Sequence, residues 1–317
     1  MPRIAIPVIA SAVLLIVIAV MISYFVPQAK ESAPVPSTIT GTYTTPIRIL
    51  FGGDMMFDRW IREKAMKRGN GFVFDGVRDE LKSHDLTVAN LEGPITDQPS
   101  VSMTSVIGSH DNYVFSFDPS WAKTLALEGI GPVNLGNNHI LNQEEDGVTQ
   151  TRNYLNEAKV AYFGDPTSED RILIQDVRGT KIAFVSYDEF ASDGKRHTFD
   201  DIAKAKASSD IVILYAHWGS EYLPVRDDVR ALAHAFIDAG CDAIIGSHPH
   251  IAQEKETYAG KTVYYSLGNF IFDQYQRDDT RRGLLVSMTV DPVSKAISFR
   301  DVPIELRTDG STTLSAQ

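Results

Sequence analysis

Short apolar runs alternate with polar stretches and helical stripes along most of the chain, as in a layered α/β domain whose buried strands are joined by amphipathic helices. The strand candidates are residues 47–51, 86–89, 131–135, 181–187, 211–216, 243–245 and 261–265. Helical patterns lie between them. In residues 226–239, for example, Val229, Leu232, Ala233, Phe236 and Ile237 recur at the spacing that makes one apolar stripe. Residues 283–306 alternate like a β-hairpin about the turn signal Asp291-Pro292. The residues after 306 are polar and read as a frayed tail.

The beginning of the chain follows a different pattern. Residues 4–26 carry no charge, and at about 1.5 Å of rise per residue such a run matches the roughly 30 Å of a bilayer core. A soluble helix would show a polar face, and this stretch shows none. The run is long for a cleavable signal peptide and no clear small-x-small site follows it, so an uncleaved transmembrane anchor is expected. Arg3 precedes the run, whereas Lys30 beyond it is offset by Glu31, which places the N-terminus inside and the domain outside the cell membrane. The following Pro, Ser and Thr residues form a tether. The expected organisation is a cytoplasmic start and anchor at 1–26, a flexible linker at 27–45, a folded domain at 46–306 and a polar tail at 307–317.

Composition narrows the functional classes. A formal charge of −11 argues against nucleic acid as a partner, because phosphate binding draws on clustered Lys and Arg. Cys241 is the single cysteine, so no intrachain disulfide forms, and its apolar setting reads as a small buried side chain rather than a nucleophile.

Chemistry concentrates where the strand candidates end. The first runs into Gly52-Gly53-Asp54, the second into Asn90-Leu91-Glu92-Gly93 and the third into Gly136-Asn137-Asn138-His139. Two later ones run into His217-Trp218-Gly219 and Gly246-Ser247-His248-Pro249-His250. Loops beyond the carboxyl ends of strands in an α/β sheet face a common crevice, where ligands distant in sequence meet. Pro249 fixes its own φ and pushes His248 toward an extended backbone, so His248 and His250 are expected to project to the same side. Imidazoles, carboxylates and an Asn amide together suit Mn, Fe or Zn, and there are more candidates than one ion needs. Two divalent ions about 3.5–4 Å apart are therefore expected. Taken singly, Asp54 reads as a turn former, Glu92 as a cap, Asn138 as an Asx-turn and His217 as a satisfied loop histidine. Joint placement favours a site: of eight histidines, His139, His217, His248 and His250 fall in these clusters, while His84, His110, His197 and His234 read as solvated or structural.

The segments GGDMMFDR, NLEGPIT, GNNH, HWGSEY, GSHPH and YSLGNFIFDQ resemble, in order and roughly in spacing, the poly-gamma-glutamate capsule synthesis protein CapA family, a branch of the calcineurin-like metallophosphoesterases. The resemblance covers residues 47–290 and implies a metallophosphatase-like α/β sandwich of two mixed β-sheets flanked by helices, here preceded by the N-terminal transmembrane helix. It implies that Asp54 and His250 bind a first metal, that Glu92 stands at the bridging position, and that Asn138, His217 and His248 bind a second. His139 would sit near the substrate as general acid or hydrogen-bond donor. Arg282 is a candidate contact for an anionic substrate, with an exposed structural arginine as the alternative, and Asn269 is a candidate for orienting a ligand histidine. One position departs from the superfamily pattern. Met56 replaces the histidine that follows the first aspartate, and a thioether is a poor ligand for these metals. Either Asp58 substitutes for it or the first ion is weakly held. The function implied is synthesis, anchoring or export of an anionic cell-surface polymer by metal-assisted hydrolysis or transfer, with the membrane, the polymer and capsule synthase subunits as partners. A general extracytoplasmic metal-dependent phosphoesterase and a non-catalytic polymer-binding or scaffold module are the alternatives.

Overall fold

The first apolar run forms strand β1 (Ile47–Met55), and in the computed structural model, which describes residues 45–315, the chain builds outward from it. Helix α1 (Arg59–Arg68) starts at Asp58, whose carboxylate accepts the Arg59 N–H. Then come α2 (Arg78–Lys82), β2 (Leu86–Leu91), α3 (Ser120–Glu128), β3 (Val133–Asn134), α4 (Glu144–Ala158) and β4 (Tyr162–Phe163). A hairpin of β5 (Leu173–Val177) and β6 (Thr180–Asp188) leads to α5 (Gly194–Ser208), β7 (Ile211–His217), α6 (Asp227–Ala239) and β8 (Ala243–Ser247). A second hairpin, β9 (Lys255–Tyr258) and β10 (Lys261–Tyr264), precedes β11 (Asn269–Ile271), β12 (Arg282–Val290), β13 (Ile297–Leu306) and β14 (Thr312–Leu314).

Two mixed sheets result. The eight-stranded sheet runs β14-β13-β12-β1-β2-β3-β4 with β11 beside β1, and the six-stranded sheet runs β5-β6-β7-β8-β10-β9. The alternation of side chains along each strand assigns the layers. Ile47, Ile49 and Phe51 of β1 pack with Ile211, Ile213 and Tyr215 of β7 between the sheets. Leu50 faces the other way, into a core with Ile61, Trp121 and Val148 of α1, α3 and α4. Val212, Leu214 and Ala216 likewise meet Ile202 of α5 and Phe236 of α6. Central strands covered on both faces explain why the sequence reads as short, almost uninterrupted apolar runs. The expected sandwich of two mixed sheets flanked by helices is present.

All seven strand candidates form strands, the helix pattern of 226–239 forms α6, and β12 pairs antiparallel with β13 around the turn at Asp291. Three details differ. β1 continues through Gly52-Gly53 to Met55, so Asp54 lies inside a strand rather than after it. The strand candidate at 131–135 shortens to the two residues of β3. The polar residues after 306 are not frayed at their start: β14 pairs with β13, and Thr312 Oγ1 donates to Phe270 O at 2.7 Å. Cys241 is buried, as its apolar setting indicated. The expected anchor and nearly all of the linker lie outside the described residues, and among the described residues no helix is long and apolar enough to cross a membrane.

Gly53 shows how closely β1 and β11 approach. A Cβ there would stand 1.8 Å from Gly268 O, while the neighbouring Asp54 N–H donates to that same carbonyl at 3.1 Å. Gly53→Ala must push the strands apart and is expected to destabilise the fold by about 3 kcal/mol, read as a lower denaturant midpoint. An unchanged midpoint would show that this contact does not constrain the sheet.

Candidate metal centre

Strand register assembles the site. Across the first sheet, Asn269, Asp54, Asn90 and Asn134 occupy one row of neighbouring positions. Across the second, Asp188, His217 and Ser247 occupy another. Parallel neighbours carry their carboxyl ends to the same edge, so both rows lie where the strand-end loops emerge. Loops after β2, β3 and β8 add Glu92, the Asn137-Asn138-His139 segment, and His248 and His250.

Asp54 and Glu92 are fully buried. His250 places Nδ1 3.5 Å from Asp54 Oδ2 and Nε2 3.6 Å from Glu92 Oε1. These three residues offer ligand atoms within 4.8 Å of one another, a buried Asp/Glu/His group of the kind that can hold a metal ion. His217 lies alongside, with Nδ1 3.8 Å from Asp54 Oδ1 and Nε2 2.8 Å from Asn138 Oδ1. The His248 ring is 4.8 Å from that of His217 and 6.0 Å from that of His250, and its backbone N–H donates to Asp54 Oδ2 at 3.0 Å. His139 brings Nε2 to 3.9 Å from Glu92 Oε1. All seven of these candidates therefore share one neighbourhood. Arg282 stands apart: it is exposed, lines an open groove with Arg277, Asp278 and Asp279, and among the described residues makes no hydrogen bond or ion pair with the cluster.

The hydrogen-bond network fixes the imidazoles. Asn142 Oδ1 already accepts the Phe115 N–H at 2.9 Å, so His139 Nδ1 donates to the same oxygen at 3.0 Å and Nε2 turns its lone pair toward Glu92. Asn269 Nδ2 donates to Thr280 O, which leaves its Oδ1 to accept from His250 Nδ1 at 2.9 Å. His250 Nε2 consequently also faces the carboxylates as an acceptor. Asn90 organises the remainder. Its Oδ1 accepts from Asn134 and Asn137, and its Nδ2 faces Asp54 Oδ1 at 2.9 Å and His217 Nδ1 at 3.3 Å.

Burial dominates the electrostatics. It raises Asp54 to about 6, against hydrogen bonds from Glu92, Asn90, His248 and Ser247 that pull it down. Burial, reinforced by the Asp54 charge, raises Glu92 well above the usual carboxylate range. Burial also pushes His217 and His250 far below neutrality, and takes His139 and His248 to about 4. The imidazoles are thus neutral at pH 7, the form in which histidine binds metal. Glu92 Oε1 and His248 Nδ1 are buried without any hydrogen-bond partner. An unpaired buried carboxylate oxygen and imidazole nitrogen are costly unless a cation satisfies them, so the residues present fit a divalent ion.

Three expectations need correction. Asp58 does not replace the missing histidine, because its carboxylate is spent on the Arg59 and Ser116 N–H groups, the Ser100 hydroxyl and Arg62. Met56 is a buried core side chain whose sulfur accepts the Asp58 N–H at 3.0 Å. His248 and His250 do not reach the cluster through an extended backbone; they adopt φ of 95° and 59°. Such a conformation costs about 1–3 kcal/mol per residue and is held here by the bond from His248 N–H to Asp54. Lastly, His139 at about 4 does not titrate near neutrality, and at pH 7 its inward nitrogen accepts rather than donates. Asn90, in the same strand-end segment as Glu92, carries no role that its sequence setting assigns. Its importance comes from sheet register, which the segment alone does not reveal.

Residues 48–274 match the sequence model of the family described as bacterial capsule synthesis protein PGA_cap. The PGA biosynthesis protein CapA of Bacillus subtilis (strain 168) is 29% identical, over 71% of this chain and 63% of that protein. The capsule biosynthesis protein CapA of Bacillus anthracis is 30% identical, over 70% of this chain and 59% of that protein. A probable polyglutamine synthesis accessory protein of Mycobacterium tuberculosis is 25% identical, over 82% of this chain and 85% of its own length. The chain thus spans about three fifths of the length of the two Bacillus relatives.

The pKa shifts predict how the chain behaves in chelator. Asp54 and Glu92 titrate higher when folded, so their stabilising share is present at low pH and lost as pH rises, for Asp54 between 3.8 and about 6 and for Glu92 from 4.5 upward. The depressed histidines act oppositely, losing their share as pH falls below 6.5. Glu92→Gln removes a share that falls as pH rises above 4.5, so in chelator the variant's melting temperature should climb more steeply with pH, or fall less, than that of the wild type. Parallel profiles for the two chains would refute the assignment.

Proposed function

This chain belongs to the bacterial capsule synthesis protein family, and on that premise we propose that it serves in the synthesis, anchoring or export of an anionic cell-surface polymer of the poly-gamma-glutamate class. The observation that carries the reading is the pair of buried carboxylates, Asp54 and Glu92, whose free oxygen and neighbouring bare imidazole nitrogens call for a cation. In this reading Asp54, Glu92 and His250 would hold one divalent ion, and Asn138, His217 and His248 would hold a second. The mixed oxygen and nitrogen set suits Mn, Fe or Zn. When bound, such ions polarise a carbonyl or phosphoryl oxygen and make water a nucleophile at neutral pH.

The chain's own residues do the rest. Asn269 keeps His250 Nε2 directed at Glu92, and Asn90 keeps the Asp54 carboxylate in place. His139, backed by the Phe115 ring at 4.5 Å, presents a bare Nε2 beside Glu92. That nitrogen takes a proton from a hydroxyl or water in the crevice and returns it to the departing atom, so the acid role follows from a prior base role. The anchor read at residues 4–26 would hold this crevice outside the membrane, within reach of the polymer and of capsule synthase subunits. A second reading, a polymer-binding or scaffold module without turnover, draws its support from Met56: with that position apolar and Asp58 committed elsewhere, the first ion has fewer ligands.

Supplied with Mn, Zn or Fe, the chain should cleave or transfer γ-glutamyl bonds or phosphate esters. Asp54→Asn and His217→Ala should each lower kcat/KM about a thousandfold, and Asn269→Ala roughly ten- to a hundredfold. No turnover with any of the three metals, while polyglutamate still binds, would establish the scaffold reading instead.

A further inference from the structure

We propose that Arg59 receives the anionic group of the substrate, a carboxylate or a phosphate, beside the metal centre; the proposal rests on the reading above and adds a specificity-determining residue to it. Arg59 is the first residue of α1, and its φ of 48° is a left-handed conformation that costs a side-chain-bearing residue energy. Its guanidinium lies 5.1 Å from the Phe115 ring centre and 5.5 Å from that of Phe272. Those rings pack in turn on His139, at 4.5 Å, and on His250, at 4.8 Å. One aromatic ring therefore separates Arg59 from each of two histidines of the cluster, and its charge acts on Glu92, His139 and His250.

The donors of Arg59 are unevenly used. Asp273 takes Nε at 3.2 Å and also pairs with Nη2. Nη1 has only a long contact, 3.4 Å, with Asn112 O. Asp273 thus holds the planar fork in one orientation and leaves a charged N–H edge for a further acceptor, an arrangement suited to planar or tetrahedral oxyanions. With a side chain only 12% exposed, this arginine is positioned far more firmly than the exposed Arg282.

The test uses the full chain loaded with Mn, with inorganic phosphate and tri-γ-glutamate as probes in equilibrium binding. Arg59→Gln should keep the metal content of the wild type while weakening one or both probes roughly ten- to a hundredfold, and Arg59→Lys should recover part of the loss. Weakening of phosphate alone identifies a phosphate-bearing substrate, and weakening of tri-γ-glutamate alone a carboxylate-bearing one. Because Arg59→Gln leaves Asp273 unpaired and risks misfolding, the double variant Arg59→Gln/Asp273→Asn, which leaves no buried unpaired charge, is measured beside it. Unchanged affinity for both probes in a metal-loaded variant overturns the proposal and leaves the metal centre standing. Loss of metal from the double variant, or no binding of either probe by the metal-loaded wild type, overturns it as well. A wild-type chain that takes up no metal instead refutes the metal-centre reading and with it the basis of this proposal.

Discussion

Two carboxylates buried side by side cannot both carry charge without help, and the arrangement around Asp54 and Glu92 is organised by that constraint. Water does not screen them, and the amide of Asn90 and the N–H of His248 offset only part of the cost. The surrounding histidines are buried and neutral, and His139 and His250 turn bare Nε2 atoms inward. A proton can relieve such a pair, but a divalent cation relieves the carboxylates and the imidazoles together, which is why the proposed function starts from a metal.

The fold delivers these groups by register rather than by any single motif. Each sheet aligns one polar residue per strand at the same edge, so Asp54 meets Asn90 and Asn269 while His217 meets Ser247 and Asp188. Below those rows the central strands β1, β7 and β8 are largely apolar and buried, which holds the register firmly: a one-residue slip would turn the core side chains outward. Close backbone approach at Gly53 and the left-handed turns at Arg59, His248 and His250 then set the final directions of the side chains.

Much of this was legible in the sequence. Central strands such as β1, β7 and β8 are apolar because both faces are buried, and the polar residue that ends each run marks the crevice, so Asp54, Glu92, Asn138, His139, His217, His248 and His250 were found from pattern and spacing. Short or half-exposed strands, β4, β5, β9, β11 and β14, have no such signal. Asn90 escaped because its role depends on neighbours in other strands, and Arg59 because it is defined by Phe115 and Phe272, distant in sequence. The backbone at His248 departs from the extended form that local proline sterics favour, because a tertiary hydrogen bond to Asp54 outweighs them. Asp58 looked like a spare ligand until the start of α1 was seen to need it as a cap.

The most direct test of the account is elemental analysis of the chain purified without chelator. About two equivalents of Mn, Fe or Zn per chain are predicted, with most of the metal lost in Glu92→Gln. A folded wild-type chain that carries no metal, and takes up none on dialysis against these ions, would contradict it.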